Sequence, residues 1–341
     1  MERSEISLLL AKVESAYATD SVPTAASNAI PVTNLRWQPQ VTRISRRPAR
    51  HGFGKIAGFN SPMHAVLTFD YAAIGNGAIQ NGSAGSAVEI DILLRACDLA
   101  AAYTAESTGG AGDGLVTYAP TRATDEGTSL SFYFHTEGKR HIVKGAKGTF
   151  TVRAQAGGMV MFSFTFTGQL GTVSDQTFPS ATVNFPAFYD TIKPPLFEGA
   201  AFAIDTLTTP VITDFTFDLG NEVVVVPNGV GSTVQAIRRA AIVDRNTTAR
   251  CNPEAITLAT YDFWTAFVAD SVLDFEAGFG STAGNRIGLA FSAQAAGWSY
   301  EDVNKLRHTG FDWEVVGTID PPNADFALTF SCPRHDCRRS P

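Results

Sequence analysis

The chain has 341 residues, enough for about two domains of ordinary size. Apolar residues make up 44% of it and charged residues 17%, so the chain can bury a core, and disorder throughout is excluded. The formal net charge of −7 argues against a general nucleic-acid-binding protein, and 24 phenylalanines with 30 glycines favour strands and turns over helices.

Residues 1–61 are predicted to form an extended N-terminal arm. A short helix is expected at residues 4–17, where apolar residues recur at helical spacing. Four prolines follow, and each favours extended backbone in the residue before it. The scattered apolar residues of such an arm cannot form a core of their own, so the arm must lie on its own body or on a neighbouring subunit.

The end of the arm is strongly basic. Between residues 43 and 55 there are five cations and no acid: Arg43, Arg46, Arg47, Arg50 and Lys55. Apart from Phe53, the segment lacks the interleaved aromatic residues of single-strand nucleic-acid binders. Because the rest of the chain is acidic, we predict that Arg43, Arg46, Arg47, Arg50 and Phe53 contact another copy of the chain.

The first domain is predicted at residues 62–190. A strand is expected at 64–71, followed by a glycine-rich loop at 72–87, whose Asn76 and Asn81 are predicted to contact an adjacent subunit. A capping-box pattern at 86–89 and apolar residues stepping by three and four then predict a helix reaching residue 103.

The rest of this domain is expected to be a meander of antiparallel strands. The predicted strands are at 114–120, 129–135, 141–144, 149–154 and 159–167. The last has Val160, Phe162, Phe164 and Phe166 at a period of two, which predicts one buried face. A linker rich in proline is expected at 170–200.

The second domain is predicted at residues 191–341. Strands are expected at 211–219, 222–226, 234–244, 272–279, 286–293, 311–317 and 326–331. Asn252 followed by Pro253 is typical of a helix start, and it predicts a helix reaching about residue 270. Each half therefore combines one helix with several strands, which predicts two related β-sandwich domains.

No catalytic motif is present in the sequence, and we predict neither enzyme activity nor a cofactor. Cys332, His335 and Cys337 could hold zinc, but a fourth ligand and the usual spacing are missing, so a basic tail with incidental thiols is expected. The cysteines are too few and scattered for a disulfide framework, which predicts reduced thiols. Without a signal-peptide pattern or a run of about 18 apolar residues, a soluble product of the cytoplasm is expected.

The order of short motifs resembles that of the major tail tube proteins of long-tailed bacteriophages. In the first half these are HAVLTF (64–69), ILLRAC (92–97), VTYAP (116–120), SFYF (131–134), EGKRH (137–141), GAKG (145–148) and FSFTFTG (162–168). In the second half FTFDLGN (215–221), VDR (243–245), NPEA (252–255) and GNR (284–286) are similar to the longer members. The resemblance covers about residues 60–330 and leaves the arm unmatched.

The resemblance implies a mainly β fold with two tail-tube-like β-sandwich or β-barrel domains, each with a flanking helix. It implies a structural virion protein, made in the bacterial host cytoplasm, that forms rings stacked into a hollow tail tube. Viral DNA would pass through the lumen without specific binding. The implied partners are further copies of the chain, a tape-measure protein and the tail terminator and distal tail proteins, with no membrane insertion.

Two questions stay open from the sequence. Two domains in one chain allow a ring of three chains, whereas six chains would leave the second half outside the tube. The alternatives to a tail tube are another β-rich virion protein of the capsid or baseplate, a hydrolase on a β scaffold, and a carbohydrate-binding β-sandwich. The last would need clustered exposed tryptophans or tyrosines, and the four tryptophans are scattered along the sequence.

Overall fold

Antiparallel strands make up most of the chain. The computed structural model describes residues 6–49, 51–75, 88–104, 115–121, 127–180, 182–185, 192–230, 236–282, 285–317 and 325–330. The strands are β1 (Ser7–Val13), β2 (Ala29–Ile30), β3 (Thr33–Ile44), β4 (Phe59–Ala72), β5 (Leu99–Thr104), β6 (Leu115–Pro120), β7 (Leu130–Thr136), β8 (Lys139–Gln155), β9 (Met161–Asp175), β10 (Ala201–Ile204), β11 (Ile212–Asp218), β12 (Asn221–Pro227), β13 (Ile237–Arg245), β14 (Thr248–Pro253), β15 (Val272–Phe279), β16 (Ile287–Val303), β17 (Leu306–Val315) and β18 (Phe326–Phe330). The helices are α1 (Asp91–Ala96) and α2 (Phe263–Val268).

Sixteen of these strands form one branched antiparallel sheet, and β12 pairs with β13 separately. The main path runs β2-β1-β7-β8-β11-β14-β17-β16-β18-β6-β5. The branch points are β8 and β16, each 17 residues long and each paired with three strands. From β8 a branch runs through β9 and β4 to β3, and from β16 another runs through β15 to β10. The predicted mainly β class is therefore confirmed.

The buried side chains form one main cluster drawn from both halves of the sequence. Among the described strands, β8 pairs with β11 and β6 pairs with β18, and both pairings join the two halves. Aromatic rings follow these pairings, with Tyr118 and Phe330 at 5.8 Å and Phe162 and Phe330 at 6.4 Å between centroids. The division near residue 190 stays a prediction, and the sheet crosses it.

Strand predictions based on a period of two agree well with the structure. The strand predicted at 272–279 is β15, and Val160, Phe162, Phe164 and Phe166 are all buried on one side at β9. The strands predicted at 141–144 and 149–154 are one continuous strand, β8. The expected linker begins later than predicted, because β9 continues to Asp175 against β8.

The helix predicted at residues 4–17 is wrong, because residues 7–13 form β1. Leu9 and Ala11 enter the main core, while Leu8 and Leu10 enter a second cluster on the other face. A strand covered on both faces has an unbroken apolar run, and periodicity cannot distinguish such a run from a buried helix. The first part of the predicted arm is thus a strand of the body.

The two longer helices predicted are also wrong in extent. The first ends at Ala96, because Asp98 has a φ of +69° and the following residues form β5 against β6. The second begins not near 253 but at Phe263, after the cap residue Asp262, whose Oδ1 accepts a hydrogen bond from the Thr265 amide at 2.9 Å. Asn252 and Pro253 are instead the last two residues of β14, and the Asn252 side-chain oxygen accepts amide hydrogen bonds from β11.

Candidate subunit interface

The candidate interface is the far end of the long β3–β4 hairpin. The two strands pair from Thr33 opposite Asp70 to Ile44 opposite Phe59. On its other edge β4 pairs with β9, but only from His64 onward. Within the described strands, residues 59–63 therefore pair with β3 alone. We call residues 41–49 and 51–63 the hairpin tip.

The base of the hairpin is held by the body. Leu35 and Trp37 pack against the main core, and the Trp37 ring lies 4.4 Å from that of His141 between centroids. The Asn34 side-chain amide donates to the Asp70 carboxylate at 2.7 Å. These contacts fix the direction of both strands, so the tip projects from an anchored support.

The hairpin tip carries apolar side chains that the body leaves uncovered. Five large ones are exposed, and Phe53 is fully so: Val41, Ile44, Phe53, Ile56 and Phe59. Single exposed apolar residues are ordinary on a protein surface, but five in one short hairpin end indicate a contact surface.

The same tip is basic and has no acid of its own. No Asp or Glu lies between Asp20 and Asp70 in the sequence. The Arg43 side chain donates to the Asn60 side-chain oxygen at 3.1 Å, and the Arg46 Nε donates to the Ala57 carbonyl at 3.0 Å. These neutral partners orient two guanidinium groups without cancelling their charge. Arg47 is exposed as well, whereas Arg50 lies outside the described residues.

The other predicted contact segment is described only at its start. Asn76 and Asn81 lie outside the described residues. The loop leaves the body at Gly75, whose amide donates to the Asn285 side-chain oxygen at 2.9 Å, and the Asn285 amide group donates to the Lys193 carbonyl at 2.9 Å. This loop therefore starts from a point fixed to the second half of the chain.

A second exposed apolar surface was missed from the sequence. A groove of about 350 Å³ lies between α2, the segment before it and the β16–β17 hairpin. We call it the aromatic groove and define it by Ile256, Leu258, Tyr261, Trp264, Trp298 and Tyr300. Trp264 and Tyr300 are 53% and 63% exposed. The spacing of the tryptophans along the sequence did not reveal this cluster, since the rings of Trp264 and Trp298 lie 5.4 Å apart between centroids.

The aromatic groove has a local framework that fixes its walls. Trp298 stands opposite Phe311 on the neighbouring strand, with 5.1 Å between ring centroids. The Ala255 amide donates to the Arg307 carbonyl at 3.0 Å, which holds the segment before α2 against β17. The Arg307 guanidinium lies 5.1 Å from the centre of the Tyr300 ring. One guanidinium already rests on an aromatic face at this groove, as cation–π attraction favours.

The segment that supplies the groove has more acids than cations. From Glu254 to Glu314 the sequence has nine acids and three Lys or Arg residues. Of these acids, Glu301 and Asp312 both form ion pairs with Arg250. The chain therefore carries a basic apolar projection on one hairpin and, elsewhere, an aromatic groove built from a segment that is rich in acids.

Several titratable groups of the body are shifted by burial. Cys97 and Cys251 are buried free thiols, and burial raises the pKa of Cys251 to about 12. Burial lowers the pKa of His64 and His135, because it disfavours the charged imidazolium, and the nearby Arg140 lowers that of His135 further. No group of three metal-ligating side chains occurs among the described residues, which do not include Cys332, His335 and Cys337.

Comparison with known proteins adds no identification. No protein-family model matches the chain, and no curated protein matches it significantly. Within the described ranges, the two helices are six residues each, so neither could cross a bilayer.

Proposed function

We propose that this chain is a structural subunit of a bacteriophage tail tube, which assembles into stacked rings around a lumen that conducts viral DNA. The observation that carries the proposal is the hairpin tip, an anchored projection with exposed apolar and cationic side chains that its own chain leaves uncovered. Such a surface is stable in water only when its apolar side chains are few or when another subunit covers them. The resemblance in motif order supplies the kind of assembly.

Two further features support this proposal. The large antiparallel sheet suits a tube wall in which strand edges are covered between neighbours. The formal net charge is −7, and residues 43–55 carry five cations without an acid, so the rest of the chain is acidic. An acidic lumen would repel DNA and let it slide, so binding to DNA would be weak and without sequence preference.

The proposed ring contains three chains, each supplying two similar domains. The number of three chains is supported by a similarity between the halves. Each half has one 17-residue strand that pairs with three others, β8 in the first half and β16 in the second. Two comparable units in one chain can take adjacent positions in a ring of pseudo-sixfold symmetry. Six chains per ring, with the second half outside the wall, is the competing arrangement.

Electron microscopy of the purified full-length protein over a range of concentrations tests the proposal. We expect rings with a central hole that stack into tubes as concentration rises, and class averages with three masses of 36.4 kDa per ring. Monomers at every concentration would overturn the tail-tube function. Six such masses in each ring would be consistent with the tail-tube function but would contradict the ring of three chains.

A further inference from the structure

We propose that the hairpin tip of one copy binds in the aromatic groove of another copy. The inference rests on the proposed assembly of the chain with itself, and it names the two surfaces that meet. The tip and the groove are both uncovered in the single chain, since Phe53 is fully exposed and Trp264 is 53% exposed. The tip therefore does not cover the groove of its own chain.

Apolar complementarity is the first argument. The tip offers Phe53, Ile56 and Phe59, which are exposed side chains of the size that anchors protein interfaces. The groove offers aromatic rings together with the aliphatic side chains of Ile256 and Leu258. Burying one Phe of the tip among them removes apolar surface of both partners from water, which is favourable for either.

Charge complementarity is the second argument. The tip as defined has four cations and no acid, while residues 254–314, which include most of the groove lining, have nine acids and three cations. Opposite potentials steer two surfaces together and disfavour contact of tip with tip or groove with groove. The Arg307 guanidinium on the Tyr300 ring marks this surface as one that accepts a cation beside its aromatic rings.

The polar groups of the groove favour a protein segment over a sugar. Thr257 and Thr260 share a hydrogen bond at 3.0 Å between their hydroxyls, and the Tyr261 hydroxyl donates to Asp205 at 3.1 Å. Sugar recognition requires several polar groups that converge on the ligand hydroxyls, and no acid or side-chain amide is among the described residues that line the groove. Leu258 is exposed, and its aliphatic side chain cannot form a hydrogen bond with a sugar hydroxyl.

A contact of tip with groove is heterologous, because different surfaces of the two copies meet. Each copy then has one free tip and one free groove, so assembly continues until the chain of contacts closes into a ring or extends along an axis. Both surfaces are needed in every copy for growth, but a single contact needs only one intact tip and one intact groove. This asymmetry gives the inference a test that a general loss of stability cannot imitate.

The test uses full-length protein, two variants and a control. Phe53→Ser removes the tip anchor, and Leu258→Lys places a cation in the groove at a position 62% exposed. Val243→Lys is the control, because Val243 on β13 is 56% exposed and belongs to neither surface. We expect each variant alone to associate about tenfold or more weakly than wild type in sedimentation, and the control to associate normally.

Mixing the two variants decides the question. The Leu258→Lys copy keeps an intact tip and the Phe53→Ser copy keeps an intact groove, so the mixture should form dimers of one of each and grow no further. Wild-type tubes together with normal assembly of either variant would overturn the inference and leave the tail-tube function standing. So would a mixture without dimers.

Two other outcomes also count against the inference. If Leu258→Lys assembles normally while wild type binds a polysaccharide that Trp264→Ala does not, the groove is a carbohydrate site. If the wild-type protein never associates, both the inference and the proposed tail-tube function are wrong.

Discussion

Strand β1 and the hairpin tip belong to the same N-terminal segment, yet the fold treats them in opposite ways. In β1, Leu8 to Ala11 are buried on both faces by the chain's own strands and loops. In the tip, Phe53 and Phe59 are exposed. Apolar side chains of one N-terminal segment are thus packed in the core at β1 and exposed at the tip. Apolar content alone therefore does not decide which side chains are buried in the core of their own chain and which stay exposed.

The largest expected effect is in β1. Leu9 is completely buried, and replacing it with Ala leaves a cavity in the main core. We expect Leu9→Ala to lower the free energy of unfolding by about 3 kcal/mol. Urea denaturation measures it, and a loss below about 1 kcal/mol would contradict the assignment of β1 to the core.

Glu14, directly after β1, is expected to have a similar or slightly smaller effect. Its carboxylate accepts hydrogen bonds from the hydroxyls of Ser129 and Ser131, both at 2.7 Å, and from the amides of Gly145 and Ala18, at 2.8 and 2.7 Å. Glu14→Ala leaves several buried donors without an acceptor, so we expect a loss of about 2–3 kcal/mol.

Glu14→Gln is the matched control for that change. The amide group keeps one acceptor oxygen and nearly the same shape, so it should retain part of the stability that Ala loses. Equal losses for Gln and Ala in the same denaturation experiment would contradict the proposed hydrogen-bonding role.

Glu89 makes the stability of this region depend on pH. Its side chain borders a cavity beside β1 and β2, lined by Ala11 and Ile30 among others, and accepts a hydrogen bond from the Tyr71 hydroxyl at 3.1 Å. Burial raises the pKa of Glu89 to about 7, although the Tyr71 hydrogen bond opposes this. The folded protein therefore holds the proton more tightly than the unfolded chain does.

The direction of the pH effect follows from that raised pKa. Its contribution to stability is complete below the unfolded pKa, about 4.5, and is lost as the pH rises through about 7. We expect a loss of about 2 kcal/mol over this range after allowing for partial solvent screening. Glu89→Gln should flatten the pH profile of unfolding between these limits, and an unchanged slope would contradict the assignment.

The smallest effect on stability is expected at the tip. Phe53 makes no core contact, so Phe53→Ala should change the free energy of unfolding of the monomer by less than about 0.5 kcal/mol. Thermal unfolding of dilute protein measures it, with Leu9→Ala as the comparison. A loss as large as that of Leu9→Ala would erase the distinction between β1 and the tip.

Local sequence determined much of the strand content. Alternating apolar residues in β9 and β15 specify a half-buried strand whatever surrounds them, because side chains alternate faces along a strand. The basic character of the tip was equally readable, since charge is a property of composition. These features depend on neighbours within a few residues.

Tertiary structure decided what local pattern could not. The run around Leu9 became a strand because partners cover both of its faces, and α1 stopped at Ala96 because β6 offered the next residues a partner. The aromatic groove depends on Trp264 and Trp298, which are far apart in sequence and meet only when α2 packs beside the β16–β17 hairpin. Contacts between distant residues carry no local signal, so a single sequence does not display them.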